Sequence, residues 1–147
     1  MSSGGTIEIR GELWDHLGRA ILAITTCGRV SKRGEAVMLR GCARQARDRF
    51  PGLAQRFGAL ILSGGNHVYD MGDGMVSFPV EDDPFGIAEP RLIEQSCREL
   101  VSLANQKGWK RIVVPRPGCG GGGLEWAQVR PILERHFDER FLVISAR

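Results

Sequence analysis

A glycine run near the end of the chain has the composition of an anion-binding loop. Five of the seven residues from 117 to 123 are glycine, between an apolar segment and a segment with helical periodicity. Glycine has no side chain and tolerates positive φ, so several backbone N–H groups can approach one ligand. The N-terminus of a following helix would add further donors and a partial positive charge. The run therefore predicts a phosphate-cradling loop, with Arg116 at its entrance.

Neither of two common phosphate motifs accounts for this loop. Gly118-x-Gly120-x-x-Gly123 formally matches the dinucleotide fingerprint, but the next predicted strand, 141–144, does not end on the acidic residue that the fingerprint requires. A Walker loop would need Gly-Lys-Ser/Thr, which is absent. A flexible interdomain linker is disfavoured by the apolar segments on both sides.

Glu81, Asp82 and Asp83 form an acidic group after an apolar segment, and Pro84 follows them. One interpretation is a general base, since a carboxylate can activate water. The alternative is a solvated loop. We expect His67 to be structural and Cys119 to contribute its backbone more than its thiol. The histidines and cysteines have no metal-ligand spacing, so we predict no metal and no cofactor.

Basic residues are concentrated in one segment, although the net charge is only +3. They could form a solvated helix face or a basic rim that attracts an anionic ligand or nucleic acid. The residues are Arg29, Lys32, Arg33, Arg40, Arg44, Arg47 and Arg49.

The elements that must position these groups alternate between strand and helix. Hydrophobic periodicity and turn residues predict both types along the chain, with a polar loop over 26–34 and a kink at Pro131. Predicted strands are 6–10, 20–25, 59–62, 67–69, 75–80, 111–115 and 141–144; predicted helices are 35–50, 53–57, 90–107 and 125–137. This order is typical of a layered α/β fold.

Length and composition predict one domain over residues 1–147. The sequence has no apolar run of about 20 residues, so we expect no membrane association. The first residues lack the features of a secretion signal, and the four cysteines form no disulfide-like pattern. The cytoplasm is the expected compartment.

With these features in this order, the sequence resembles macro domains, which bind ADP-ribose. It is most similar to the branch containing the terminal ADP-ribose glycohydrolase and the antitoxins that reverse DNA ADP-ribosylation. The resemblance implies a three-layer α/β/α sandwich with a mixed central sheet. It spans the whole chain and rests on Gly11-Glu12-Leu13, Arg40-Gly41-Cys42-Ala43, Arg49-Phe50-Pro51, Ser77-Phe78-Pro79, and the 115–120 and 124–126 segments.

The resemblance also implies a set of ligand contacts. Glu12 would accept a hydrogen bond from the adenine amino group, or alternatively be a surface carboxylate. The glycine loop would wrap the diphosphate and distal ribose, opposite the 26–28 and 40–43 segments. The implied ligand-binding residues are Glu12, Leu13, Thr26, Cys27, Gly28, Arg40, Gly41, Cys42, Pro117, Gly118, Cys119, Gly120, Gly121, Gly122 and Gly123.

The sequence departs from this branch at the catalytic positions. Glu81 stands where the hydrolases carry a lysine, and glycine near Gly122 stands where the eukaryotic member has an aspartate. Leu39 stands where the related domains commonly have a glycine, and its side chain would narrow one wall of the ligand site. We therefore expect an ADP-ribosyl glycohydrolase acting on ADP-ribosylated protein or nucleic acid, with Glu81 as the catalytic candidate. The alternative is a non-catalytic binding module or an antitoxin-type interaction domain, whose toxin the sequence does not identify.

Overall fold

A computed structural model describes residues 6–146 and contains a six-stranded sheet of order β1-β6-β5-β2-β4-β3. All neighbouring strands pair in parallel except β3, which is antiparallel to β4. The sheet is therefore mixed, as predicted. The strands are β1 (Ile7–Arg10), β2 (Ile21–Cys27), β3 (Asp70–Gly72), β4 (Met75–Glu81), β5 (Ile112–Pro115) and β6 (Phe141–Ser145).

Helices cover both faces of this sheet. Leu22 and Ile24 of β2 pack in the core formed with the first two α-helices, whereas Ala23 packs in the core formed with the last two. Because successive strand residues point to opposite faces, this alternation defines three layers. The predicted α/β/α sandwich is confirmed. The helices are α1 (Gly41–Arg49), α2 (Leu53–Gly64), α3 (Pro90–Lys107) and α4 (Trp126–Glu134), with a 3₁₀ helix at Leu13–His16.

The prediction of a helix over 90–107 is confirmed to the residue. Pro90 occupies the first turn, where its missing N–H is not needed. Gly108 ends the helix with φ of 72°, and its N–H bonds to the carbonyl of Ala104. The hairpin predicted around 71–74 is also present, between β3 and β4.

Three predicted elements are wrong. Residues 59–62 belong to helix α2 and not to a strand, because a four-residue apolar run does not distinguish a strand from the buried side of a helix. Residues 67–69 are not a strand, and the strand follows at Asp70–Gly72. Residues 35–40 are not helical. Ala36 forms an isolated bridge with Val30, and helix α1 begins only at Gly41.

Two further expectations need adjustment. Thr26 and Cys27, predicted in a loop, form the end of β2. Helix α4 runs through Pro131 without a break. Pro131 has no N–H to donate to the carbonyl of Ala127. Both residues are exposed, so solvent can hydrate that carbonyl.

In the part of the chain from residue 6 to 146, no helix is long and apolar enough to cross a bilayer.

Candidate functional site

A cleft of about 360 Å³ opens at the carboxyl ends of β2, β4 and β5. The chain leaves β2 towards α1 on one face, whereas β4 and β5 lead to α3 and α4 on the other. Connections that diverge in this way leave a crevice at the sheet edge, where ligands of open α/β sheets bind. The cleft is lined by Thr25, Thr26, Cys27, Val37, Met38, Leu39, Arg40, Gly41, Cys42, Ala43, Val80, Glu81, Pro84, Pro115, Arg116, Gly118, Gly120, Gly121 and Gly122.

The glycine loop forms one wall of the cleft and is tightly packed on the loop before α3. Gly118 has φ of 74°, and a Cβ there would lie 2.9 Å from the Cβ of Ala88. A Cβ on Gly122 would lie 2.7 Å from the Gly118 carbonyl oxygen and 2.8 Å from Ala88 Cβ. The Gly122 carbonyl accepts a hydrogen bond from the Ala88 N–H at 3.1 Å. These contacts require glycine at 118 and 122, whereas Gly120 has open space around it.

The helix terminus at the cleft belongs to α1. Gly41, Cys42 and Ala43 in the first turn of α1 line the cleft, whereas no residue of α4 does. This placement corrects the expectation that the helix after the glycine loop supplies the oriented N–H groups. An anion in the cleft would face the positive end of the α1 dipole from the opposite wall.

Glu81 is the carboxylate that faces this space from the end of β4. A bulge in the β2–β4 pairing sets Cys27 opposite Glu81, after Thr26 has paired with Pro79. Bulges redirect the side chains that follow them. The Glu81 side chain is only 11% exposed, and its Oε2 is buried without a hydrogen-bond partner among the described residues.

The electrostatic setting of Glu81 favours proton uptake. Burial raises the pKa of the Glu81 carboxyl, the Arg40 guanidinium lowers it, and the negative charge of Asp83 raises it further, with a net result above the ordinary value. A carboxyl group with a raised pKa that lines a cleft can act as a general base towards a water bound there.

The other two acidic residues of the predicted group do not enter the cleft. Asp82 and Asp83 are 62% and 53% exposed. Asp82 accepts a hydrogen bond from Asn66 at 3.0 Å, and Asp83 pairs with Arg29 at 3.2 Å. The solvated-loop interpretation therefore describes these two positions and not Glu81.

Arg40 extends across the cleft from the N-cap of α1. Its Nη2 donates to the Pro84 carbonyl at 2.9 Å and lies 3.8 Å from Glu81 Oε1. A Cβ on Gly121 would lie 2.8 Å from Arg40 Nε. One guanidinium thus adjoins the glycine loop, the acidic loop and the buried carboxylate.

The cysteines at the cleft are protonated thiols. The Cys27 Sγ donates to the Val37 carbonyl at 3.4 Å, and the Cys42 Sγ lies 3.4 Å from Thr25 Oγ1. Burial is the main cause that raises the pKa of both thiols. Burial also raises the pKa of Cys119, which does not line the cleft. None of these groups has the lowered pKa of a nucleophilic thiol.

Most of the predicted site residues lie together, and a smaller group lies outside the cleft. Leu13 is buried in the core, Glu12 is exposed just before the 3₁₀ helix, and Gly28 packs on Asn66. His67 does not line the cleft and bonds through Nδ1 to the Glu99 carboxylate at 2.7 Å. Predicted residues in the cleft are Thr26, Cys27, Arg40, Gly41, Cys42, Glu81, Gly118, Gly120, Gly121 and Gly122; those outside its lining are Glu12, Leu13, Gly28, Pro117, Cys119 and Gly123.

Sequence reasoning missed the wall formed by Val37 and Met38, because the segment before α1 was predicted to be helical. The available signal was Gly34 with the small and apolar residues after Glu35, which fits an extended segment as well as a helix. Val80, Pro84 and Pro115 were also missed, as strand-end residues without reactive groups.

Solved structures with this arrangement are macrodomains. The macrodomain of Thermus aquaticus DarG superposes with a TM-score of 0.78 over 99% of both chains, at 24% identity. The chain has the macrodomain fold. The macrodomain of Mycobacterium tuberculosis DarG gives a TM-score of 0.72 at 22% identity, over 95% of this chain and 98% of that one. Thermosipho africanus DarTG, solved in complex with ADP-ribose, gives 0.76 at 22% identity over 96% of this chain and 42% of that one. The resemblance to macro domains seen in the sequence is thereby confirmed.

One curated protein is similar in sequence over part of the chain. It is a DNA ADP-ribosyl transferase–DNA ADP-ribosyl glycohydrolase fusion protein from Thermosipho africanus strain H17ap60334, 37% identical over 59 residues. The matched stretch is 40% of this chain and 15% of the fusion protein. No protein-family model matches the chain.

Proposed function

We propose that this macrodomain binds ADP-ribose in the cleft and removes it from ADP-ribosylated macromolecules as a glycohydrolase. The observation that carries the proposal is the buried Glu81 carboxylate, which faces a cleft bounded by a glycine loop and a helix N-terminus. The fold supports it, since similar folds include a DarTG solved with ADP-ribose and a fusion protein named as a DNA ADP-ribosyl glycohydrolase. ADP-ribosylated DNA is accordingly the first substrate to test, and a toxin that modifies DNA would be the functional partner.

The ligand would be held by backbone donors on two walls. The diphosphate would lie against the N–H groups of the loop around Gly120 and Gly121 and face the first turn of α1. The adenine would extend along the sheet edge towards β1. Glu12 follows β1 at that same edge and is exposed, which suits acceptance of a hydrogen bond from the adenine amino group.

The reaction would use Glu81 as a general base. A water beside the carboxylate would attack the anomeric carbon of the distal ribose, forming a C–O bond while the glycosidic C–N or C–O bond breaks. The water proton would pass to Glu81 and then to solvent, and solvent would protonate the leaving group. The negative charge would also stabilise oxocarbenium character in the transition state. This route needs neither the lysine nor the aspartate that the resembling hydrolases carry.

The test compares turnover with binding in a matched pair of variants. Glu81→Gln removes the base and keeps the side-chain shape, so hydrolysis of an ADP-ribosylated DNA oligonucleotide should fall roughly a hundredfold or more. Affinity for free ADP-ribose, measured by calorimetry, should change only a few-fold. Glu89→Gln is the control, because it makes the same charge change on the same loop at a residue paired with Arg91 outside the cleft.

The second candidate function is recognition of ADP-ribose without turnover. The specific observation in its favour is the glycine-only stretch 120–123, which offers no carboxylate on the loop wall. Mass spectrometry of ADP-ribosylated DNA and protein panels separates the two functions. Binding without released ADP-ribose would establish the recognition module. Full activity in Glu81→Gln would refute the assigned base, and absence of any binding would refute both functions.

A further inference from the structure

Arg40 is the arginine of its segment that reaches the cleft. Arg44 pairs along the helix with Asp48 at 3.9 Å, and Arg49 lies over the Trp14 ring at 4.5 Å. Arg47 donates to the Met38 carbonyl at 3.2 Å. Of the four arginines from 40 to 49, three therefore lie outside the cleft lining and Arg40 enters the site.

We propose that Arg40 is shared between the ligand diphosphate and Glu81, and that it positions this carboxylate when the ligand binds. The inference rests on the proposed function. It goes beyond that function by assigning a coupling between the binding wall and the reacting group to one side chain.

The geometry leaves the guanidinium free to serve both groups. Arginine has five N–H donors in a planar fork, and one donor is occupied by the Pro84 carbonyl. The 3.8 Å separation from Glu81 Oε1 is an ion pair and is longer than a hydrogen bond. The contact with Gly121 places the same guanidinium against the loop that would hold the diphosphate. A phosphate there could take a second edge of the fork without breaking the bond to Pro84.

The charges around Glu81 make Arg40 its main counterion. On the acidic loop, Asp83 adds negative charge but is paired with Arg29, and Asp82 is held by Asn66 and lies 3.8 Å from Arg91. On β2 the facing titratable group is the protonated Cys27 thiol. On the glycine loop Arg116 also lines the cleft, but it pairs with Glu8 at 3.4 Å and stacks on Trp126 at 4.7 Å.

Loss of Arg40 should therefore affect Glu81 in a defined direction. Arg40 lowers the pKa of the Glu81 carboxyl, whereas burial and Asp83 raise it. Without the guanidinium the pKa of Glu81 rises, and the base form appears only at higher pH. An acid limb of the kcat profile that reports Glu81 must shift to higher pH as well.

The experiment compares Arg40→Gln, Arg40→Lys and the control Arg44→Gln, which removes the same charge one helical turn away on the outer surface. Three quantities are measured: the Kd for ADP-ribose by calorimetry, the Glu81 pKa by carboxyl carbon NMR titration, and the pH profile of kcat. Thermal unfolding of each variant monitors folding, and the lysine variant retains the positive charge at position 40.

Arg40→Gln should weaken ADP-ribose binding roughly ten- to a hundredfold, as expected for one lost charge-assisted hydrogen bond. It should also raise the Glu81 pKa and shift the acid limb of kcat to higher pH. Arg40→Lys should restore most of the pKa and only part of the affinity, because an ammonium lacks the planar fork. Arg44→Gln should leave all three quantities unchanged.

Two results would overturn the inference while the proposed function stands. One is weaker binding with an unchanged Glu81 pKa, which would make Arg40 a diphosphate contact only. The other is unchanged binding with a shifted pKa, which would make it a counterion only. If the wild-type protein binds no ADP-ribose, both the proposed function and this inference are refuted.

Discussion

Replacing Gly122 by alanine would place a Cβ 2.7 Å from the carbonyl oxygen of Gly118 and 2.8 Å from the Cβ of Ala88. Real Cβ contacts are longer than 3.0 Å, so the glycine loop or the 84–88 loop must move. Neither neighbour is the flexible end of a long side chain. Gly122 does not have positive φ, so the expected effect is steric and not conformational.

Overpacking of this kind costs about 1–3 kcal/mol of the free energy of unfolding. For a chain of this length that corresponds to roughly 2–12 °C in Tm. Urea unfolding followed by tryptophan fluorescence would measure the free energy, and a thermal melt would measure the Tm. Because the displaced loop carries the Ala88–Gly122 hydrogen bond and one cleft wall, ADP-ribose affinity should fall in the same variant.

The matched control is Gly120→Ala in the same loop. Its Cβ meets nothing within 4 Å, so stability should stay within about 0.5 kcal/mol of wild type. If Gly122→Ala were as stable as Gly120→Ala, the loop could not be packed against Ala88 as described, and the steric argument for glycine at 122 would be refuted.

Two further expectations concern the adenine wall and the contact between α3 and α4. Glu12→Ala should weaken ADP-ribose binding about tenfold, measured by calorimetry, without changing Tm. The control is Asp15→Ala, which removes an exposed acid on the adjoining 3₁₀ helix and should change neither the affinity nor the Tm. Equal affinities in the two variants would show that Glu12 is not part of the site. The pKa of the Glu94 carboxyl is lowered below its ordinary value of 4.5, first by the hydrogen bond from Arg135 at 2.6 Å and then by His136. The stability gained from a lowered pKa is present above pH 4.5 and is lost as the pH falls through the folded-state value. Between pH 7 and pH 3, the wild-type protein should therefore lose up to about 1 kcal/mol of unfolding free energy that Glu94→Gln lacks at both pH values. Urea titrations at the two pH values measure this loss, and the control Glu139→Gln should behave as wild type. A Glu94→Gln stability curve parallel to that of wild type would contradict the expectation.

Much of the fold could be predicted from the sequence because several elements carry consistent local signals. Helix α3 has a proline in its first turn, an apolar stripe and a closing glycine, and each signal indicates the same bounds. The region from 53 to 69 lacked such agreement. Its apolar run at 59–62 has the length of a strand but lies within helix α2, which continues to Gly64.

The parts of the candidate site that require glycine or a charged residue could be predicted from the sequence, whereas the orientation of its side chains could not. Gly118 has positive φ, and Gly122 approaches the Gly118 carbonyl within the same loop, so a local sequence pattern can reveal both. The orientation of Glu81 depends on a bulge between two strands whose residues are about 50 positions apart, and no local pattern encodes it. The same holds for Arg40, whose contacts with Pro84 and Gly121 join segments that are distant in the chain.

The position of β2 between β4 and β5 has a consequence for how the cleft moves. Its floor, the end of β2, is paired with β4 as far as Cys27 and has helices on both faces, so its amides should open only at a high free energy. One wall is the glycine loop and the other is the 37–40 segment with the first turn of α1, and both can open locally at lower free energy. A ligand that bridges the two walls would order them against a fixed base. Its binding enthalpy would then be offset by a loss of loop entropy, and amide exchange would slow in the walls and hardly at all in the floor.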